Sequence, residues 1–222
     1  RVPHFEKMLY DNAQLLEVYA DAFHLTNDKR YRRVAEETAA FLLRDLTDVS
    51  GGFYAALDAE TDGVEGRYYV WTRGELGAAL PPADAALVER AFALGPQPDF
   101  PHGHVLRLRR PLVQTADAEG MSALDLEQRL ASIKSRLLAV RAKREVPFRD
   151  EKVLTAWNGL TIRALARAGR LLDRREYVDA AAKAAEFVLT NCRDDRGRLL
   201  RSYARGEARA AGCLDDYAFL VE

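Results

Sequence analysis

The segment HFEKMLYDN, near the start of the 222-residue chain, sets His4, Lys7 and Asp11 at i, i+3 and i+7, on one stripe of a helix surface. A histidine and a carboxylate on one stripe are the usual parts of acid–base chemistry, one accepting a proton while the other donates one. Glu6 and Lys7 add charges in the same turn. Two further segments hold residues of the same kind: RDEKVLTAWNGL carries Asp150, Lys152, Trp157 and Asn158, and LDDYAFLVE carries Asp215, Asp216 and Tyr217. Each has a plainer alternative. Asp and Asn near a helix start cap it and suit its dipole, Lys7 with Asp11 is also an i,i+4 surface pair, and Lys152 among acids is also a simple ion pair.

The elements that must position these residues repeat along the chain. Residues 12–54 lie over 158–200 without a gap: Asn12 falls on Asn158, Leu16 on Ile162, Ala22 on Ala168, Tyr31 on Tyr177, Phe41 on Phe187 and Gly51 on Gly197. A third copy begins where LYDNAQLLE (9–17) matches LDDYAFLVE (214–222), setting Asp11 on Asp216. In each full copy apolar residues at helical spacing predict a first helix, TNDKR or LDRRE a turn, and a second apolar pattern another helix. Gly51 and Gly197 are expected to close the second helices, and extended residues follow. Short links between helices favour antiparallel helical hairpins.

Between the copies, 51–150 reads differently. GGFYAALDAETDGVEGRYYVWT predicts two strands about an acidic, Gly-containing turn, a β insertion over 51–72. Residues 73–94 predict a helical pair or a broken helix. Ser122 to Glu145 predicts a helix capped by Ser122, its buried stripe formed by Leu126, Leu130, Ile133, Leu137 and Val140. This stretch is expected to supply one further hairpin. The acidic turn Asp58–Glu65 superficially resembles a calcium loop, but Tyr69 stands where an EF-hand needs a glutamate and the flanks are strands. That leaves a solvated hairpin tip, with a looser cation site as the alternative. His102 and His104 lack a third ligand nearby in sequence, and no metal or cofactor is expected. Arg141, Lys143 and Arg144 suit the end of a helix dipole.

With Lys+Arg 33 against Asp+Glu 34, the chain lacks the basic excess of a dedicated nucleic-acid binder. No apolar run approaches the ~20 residues of a membrane span. Cys192 and Cys213 show no metal or redox spacing, and idle thiols in a reducing compartment are favoured over a disulfide, so the expected location is cytoplasmic. No initiator Met opens the sequence and Glu222 falls inside a helix pattern, so both ends are expected to be truncated.

At VPHFEKMLYDNAQLL, GGFYAALDAETDGVEGRYYVWT, RDEKVLTAWNGL and LDDYAFLVE the chain resembles the thioredoxin-domain-containing proteins of the YyaL type, whose animal members are called spermatogenesis-associated. The resemblance covers all 222 residues. It implies a mainly α fold: part of an (α/α)6 barrel of the six-hairpin glycosidase and N-acylglucosamine 2-epimerase type, residues 1–222 forming a single helical-hairpin domain with a small β-hairpin insertion. Family members also carry an N-terminal thioredoxin-like domain with a CxxC-type motif, which these 222 residues do not contain. In such a barrel the first helices of the hairpins form the inner ring, and their N-terminal ends surround a cleft. The resemblance thus implies a carbohydrate-active or carbohydrate-binding domain, with His4, Asp11 and Asp216 as candidate acid–base residues of a hydrolase or epimerase. Glu6, Lys7, Trp71, Asp150, Lys152, Trp157, Asn158, Asp215 and Tyr217 are the candidate sugar contacts. The alternative of another class is a non-catalytic helical platform, binding a partner and attached to the thioredoxin-like redox domain of the same full-length chain.

Overall fold

The computed structural model describes residues 4–92 and 94–221. Strand β1 (Lys7–Met8) leads into helix α1 (Leu9–Thr26), which a left-handed Asn27 ends before α2 (Lys29–Asp45) turns back. Asp28 caps α2 by accepting the Arg30 amide. Strands β2 (Ala56–Leu57), β3 (Glu60–Thr61) and β4 (Val64–Glu65) follow. Next come helices α3 (Arg73–Ala79), α4 (Pro82–Ala91), α5 (Leu112–Glu119) and α6 (Ala123–Arg141). Strands β5 (Arg149–Asp150) and β6 (Val153–Leu154) precede α7 (Thr155–Leu172), which a left-handed Asp173 ends, and α8 (Arg175–Asn191). Hairpin β7 (Leu200–Ala204) and β8 (Glu207–Ala211) then leads to α9 (Leu214–Val221). The fold is mainly α, with small antiparallel sheets.

The chain divides into two compact units, Arg1–Phe5 with Ala59–Phe148, and Glu6–Asp58 with Arg149–Glu222. In the second unit the expected repeat is physically real. The shift of 146 residues that carries Glu17 to Arg163 and Asp21 to Arg167 also joins them, by ion pairs of 2.8 and 2.6 Å between α1 and α7. These two helices are therefore parallel and in register. Helix α9 lies parallel to α7 in turn: Ala156 bonds to Asp216, and Gly159 lies against Phe219. Helices α2 and α8 pack antiparallel to α1 and α7 and form a second layer. The core between the layers includes Leu9, Leu16, Leu42 and Leu165, all fully buried; each such side chain contributes about 1.5–3 kcal/mol. This two-layer stack of helical hairpins is the arrangement from which (α/α) barrels are built.

Two expectations need correction. Helices α2 and α8 end at Asp45 and Asn191, several residues before Gly51 and Gly197. Those glycines instead take left-handed φ of 111° and 76° in turns built on Asp48 and Asp194. Nor does 51–150 place a hairpin between the copies, because α1 packs directly on α7. The chain leaves the second unit after Asp58 and re-enters at Arg149, where β2 and β5 pair antiparallel through Ala56 with Asp150 and Leu57 with Arg149.

In the first unit, α3, α4 and α6 share a core around Trp71, Leu76, Val88, Leu126 and Ile133. Thr72 and Glu75 form a capping box, and Ser122 caps α6 as expected. Arg144 ties the segment before α3 in place. It donates to the carbonyls of Tyr68 and Val70, pairs with Glu75 at 2.9 Å, and lies 4.2 Å from the Trp71 ring centre. The acidic turn is a two-stranded tip, β3 with β4, in which Asp62 pairs with Arg67. Among the described residues no group of three or more His, Cys, Asp or Glu is placed to hold a metal, and no helix is long and apolar enough to cross a membrane.

One half-buried pair in the second unit ties stability to pH. Tyr54 donates its hydroxyl to Asp48 at 2.6 Å, with the Arg149 guanidinium 4.4 Å from its ring centre. Burial, with the Asp48 bond, pushes the Tyr54 phenol up to about 12. Burial opposes ionisation of Asp48, yet bonds from Tyr54 and Ser50 outweigh it and hold the carboxyl below its ordinary value. Asp48 therefore adds stability that is complete above the unfolded carboxyl's pKa of about 3.9 and is lost as pH falls through the lower folded value. The Tyr54 contribution is complete below about pH 10 and is lost as pH climbs toward 12. Tyr54→Phe is expected to cost about 1 kcal/mol near neutral pH and to flatten both arms of the urea midpoint plotted against pH.

Candidate functional site

The parallel helices α1, α7 and α9 bring their first turns to the same end of the second unit. Between them lies a cleft of about 370 Å³, lined from α1 by Tyr10 and Gln14, from α7 by Ala156, Trp157, Leu160 and Arg163, and from α9 by Asp215, Asp216 and Phe219. Leu154 and Arg201 complete the lining. The repeat explains this choice of residues. Tyr10, Ala156 and Asp215 occupy one repeat position, Gln14, Leu160 and Phe219 another, one helical turn on. Residues four apart share a helix face, so each helix offers the same stripe to the cleft.

The stripes differ in chemistry. The Tyr10 and Trp157 rings lie 4.8 Å apart at 56° and with Phe219 supply flat apolar surface. Arg163 reaches Glu17 at 2.8 Å, and the Arg201 guanidinium donates to Cys213 Sγ at 3.1 Å. Both cysteines are free thiols, Cys192 buried and Cys213 exposed; burial pushes the Cys192 thiol up.

The two carboxylates of the cleft are unlike. Asp216 is 1% exposed, and its two oxygens accept the Ala156 amide at 2.9 Å and the Cys213 amide at 2.7 Å. It joins the first turns of α7 and α9. Asp215 is exposed, and among the described residues it makes no hydrogen bond, so its oxygens are open to a ligand.

Of the residues singled out in the sequence, Trp157, Asp215 and Asp216 meet in this cleft. Asn158 does not line it. Its fully buried amide accepts the Phe53 N–H at 2.8 Å and donates to the Phe53 and Leu154 carbonyls at 3.0 Å each. Tyr217, at the same repeat position, accepts the Leu199 N–H at 3.0 Å. Leu199 is the repeat counterpart of Phe53, so both side chains latch the segment that follows the preceding second-layer helix. Asp11 is exposed and outside the cleft lining. The expected helical stripe of His4, Lys7 and Asp11 does not form, because α1 begins only at Leu9 and Lys7 lies in β1 opposite Leu57; Asp150 in β5 pairs with Lys152 at 3.1 Å. Glu6 is exposed; His4, also exposed, and the buried Trp71 belong to the first unit. Tyr10, Gln14, Arg163, Arg201 and Phe219 line the cleft without standing out in the sequence. The signal for three of them is present there, since the repeat that aligns Asp11 with Asp216 also aligns Tyr10 with Asp215 and Gln14 with Phe219.

A mainly α protein of stacked helical hairpins, with a cleft at the shared end of its first helices, is the class that fold and site define. Spermatogenesis-associated protein 20 of Homo sapiens is 34% identical over 99% of this chain and 32% of its own length. A Caenorhabditis elegans protein described as uncharacterised is 32% identical over the whole chain and 35% of its own length. The chain is thus homologous to one segment of the spermatogenesis-associated protein 20 family and spans about a third of the length of these relatives. No family model matches it. Among solved structures, cellobiose 2-epimerase from Bacillus thermoamylovorans overlaps at a TM-score of 0.30 with 12% identity, over 97% of this chain and 71% of that one. That overlap is too loose to bear on the fold, which the helix packing itself defines.

Proposed function

We propose that the cleft between α1, α7 and α9 binds a sugar-like, polyhydroxylated ligand. The observation that carries this reading is its lining: the flat faces of Tyr10, Trp157 and Phe219 stand beside Gln14, Arg201 and the open carboxylate of Asp215. Aromatic faces suit the C–H surfaces of a pyranose ring, and a few convergent polar groups suit its hydroxyls. The implied membership of the six-hairpin glycosidase type agrees with it. Any acid–base step in this cleft falls to Asp215, because the oxygens of Asp216 are engaged by backbone amides. His4 and Asp11 have no part in this version of the site. The engagement of Asp216 also favours the second reading, a non-catalytic platform for a thioredoxin-like domain in the longer protein. In that case deleting this segment from the full-length protein alters its redox activity.

Isothermal titration of the full-length protein with a panel of mono- and disaccharides is expected to show saturable binding. Asp215→Ala and Trp157→Ala are each expected to weaken it at least tenfold, about 1.4 kcal/mol. No heat of binding from any sugar in the panel overturns the reading.

A further inference from the structure

The repeat makes each helix of the inner layer a template for the others, and by that comparison one flank of α1 lacks what its counterparts have. Helix α7 is packed on both sides. Trp157 touches Tyr10 of α1 on one side, while on the other Gly159 lies against the backbone of α9. On the Trp157 side, Thr161, Ala164 and Ala168 are fully buried. Their repeat counterparts on α1 are Leu15, 47% exposed, Val18, 61% exposed, and Ala22, half-buried. With Asp11 and Leu25 they form one stripe at helical spacing, opposite the buried stripe of Leu9, Ala13, Leu16 and Ala20. The stripe is apolar where its counterpart is core.

Two polar side chains on this flank repeat the pattern. Asp216 accepts the Ala156 amide in the first turn of the helix packed before its own. Its counterpart Asp11 makes no hydrogen bond among the described residues and is exposed. Asn158 and Tyr217 each accept a backbone N–H from the segment that follows the preceding second-layer helix. Their counterpart Asn12 donates to Met8 O at 2.7 Å, and among the described residues its amide oxygen has no donor. Asp11, Asn12 and the Leu15–Val18 stripe thus offer the helix-start acceptor that α9 uses, the loop latch that α7 and α9 both use, and the apolar contact that α7 uses.

We infer that this flank of α1 docks another helical hairpin of the same repeat, supplied by the same polypeptide. Its first helix would lie parallel to α1, with a first-turn amide on Asp11. The segment after its second helix would give a backbone N–H to Asn12. The chain spans only about a third of its relatives' length, which leaves ample polypeptide for such a unit. The inference is independent of what the cleft binds.

The test is site-specific photo-crosslinking in the full-length gene product, with p-benzoylphenylalanine at position 18 and, as a control, at position 49, where Val49 is 91% exposed. Mass spectrometry is expected to find position 18 linked within the same molecule to a helical segment preceding residue 1, and position 49 without such a link. A link from position 18 to a second copy, to another protein or to a non-helical domain overturns the proposal, as does the absence of any link. A gene product with no residues ahead of this chain overturns it at once.

Discussion

Asn158→Ala in this 222-residue chain is expected to lower the free energy of unfolding by about 3–4 kcal/mol. The amide makes three hydrogen bonds at a fully buried position, each worth about 1 kcal/mol net. Its loss also strands the N–H and C=O of Phe53, which is itself fully buried, and an unsatisfied buried group costs about 1–3 kcal/mol. Alanine is the better helix former, but that gain is at most about 0.7 kcal/mol and does not decide the outcome. Asn12→Ala supplies the control. Its side chain makes one described bond, to Met8 O within its own first turn, so its loss should cost below about 1 kcal/mol. Urea unfolding of the two variants in parallel checks the difference, and equal costs would refute the latch.

Gly159→Ala is expected to detach α9 from α7. A methyl at this position would lie 2.6 Å from the carbonyl carbon and oxygen of Phe219 and 2.9 Å from the Leu220 nitrogen. These are backbone atoms that no rotamer change can move aside. Replacing a mid-helix glycine by alanine gains about 1 kcal/mol of propensity, while overpacking of this kind costs about 1–3 kcal/mol, occasionally more. Steric exclusion wins at this spacing. The repeat counterpart on α1 is already an alanine, Ala13, fully buried on the flank that faces α7. Only the α7–α9 approach therefore depends on the missing side chain. Hydrogen exchange across 214–221 should rise at least tenfold in the variant, with little change across 9–26. Because Asp215, Asp216 and Phe219 all come from α9, sugar binding should be lost with it.

Much of this architecture is legible in the sequence, because the repeat records it twice. Aligning Asn12 with Asn158 and Asp11 with Asp216 is enough to locate three parallel helix starts. It is not enough to sort the residues within a turn. Successive helix positions point about 100° apart, so Asp215, Asp216 and Tyr217 face three different surroundings: the cleft, the seam with α7, and the Leu199 segment. Being near a helix start is legible; facing the cleft is not. Asp11 illustrates the limit. It shares the repeat position of Asp216, but it is exposed and makes no hydrogen bond among the described residues. The stretch 51–150 reads as a further hairpin because α3 to α6 show the same local helical signals as the true copies. That α1 and α7 are neighbours is a fact of tertiary packing, and the spacing of apolar residues does not contain it. Arg201 escapes a reading of the sequence for a related reason, since it reaches the cleft from a strand pairing rather than from a helix start.

The chain has two tryptophans, and only Trp157 lines the cleft. Fluorine NMR of the full-length protein labelled with 5-fluorotryptophan, with resonances assigned through Trp157→Phe and Trp71→Phe, is therefore the decisive measurement of whether the cleft takes a sugar. The Trp157 resonance is expected to shift saturably with at least one sugar of the panel, and Asp215→Ala to weaken that titration at least tenfold. A Trp157 resonance that stays in place with every sugar would contradict a sugar-binding cleft.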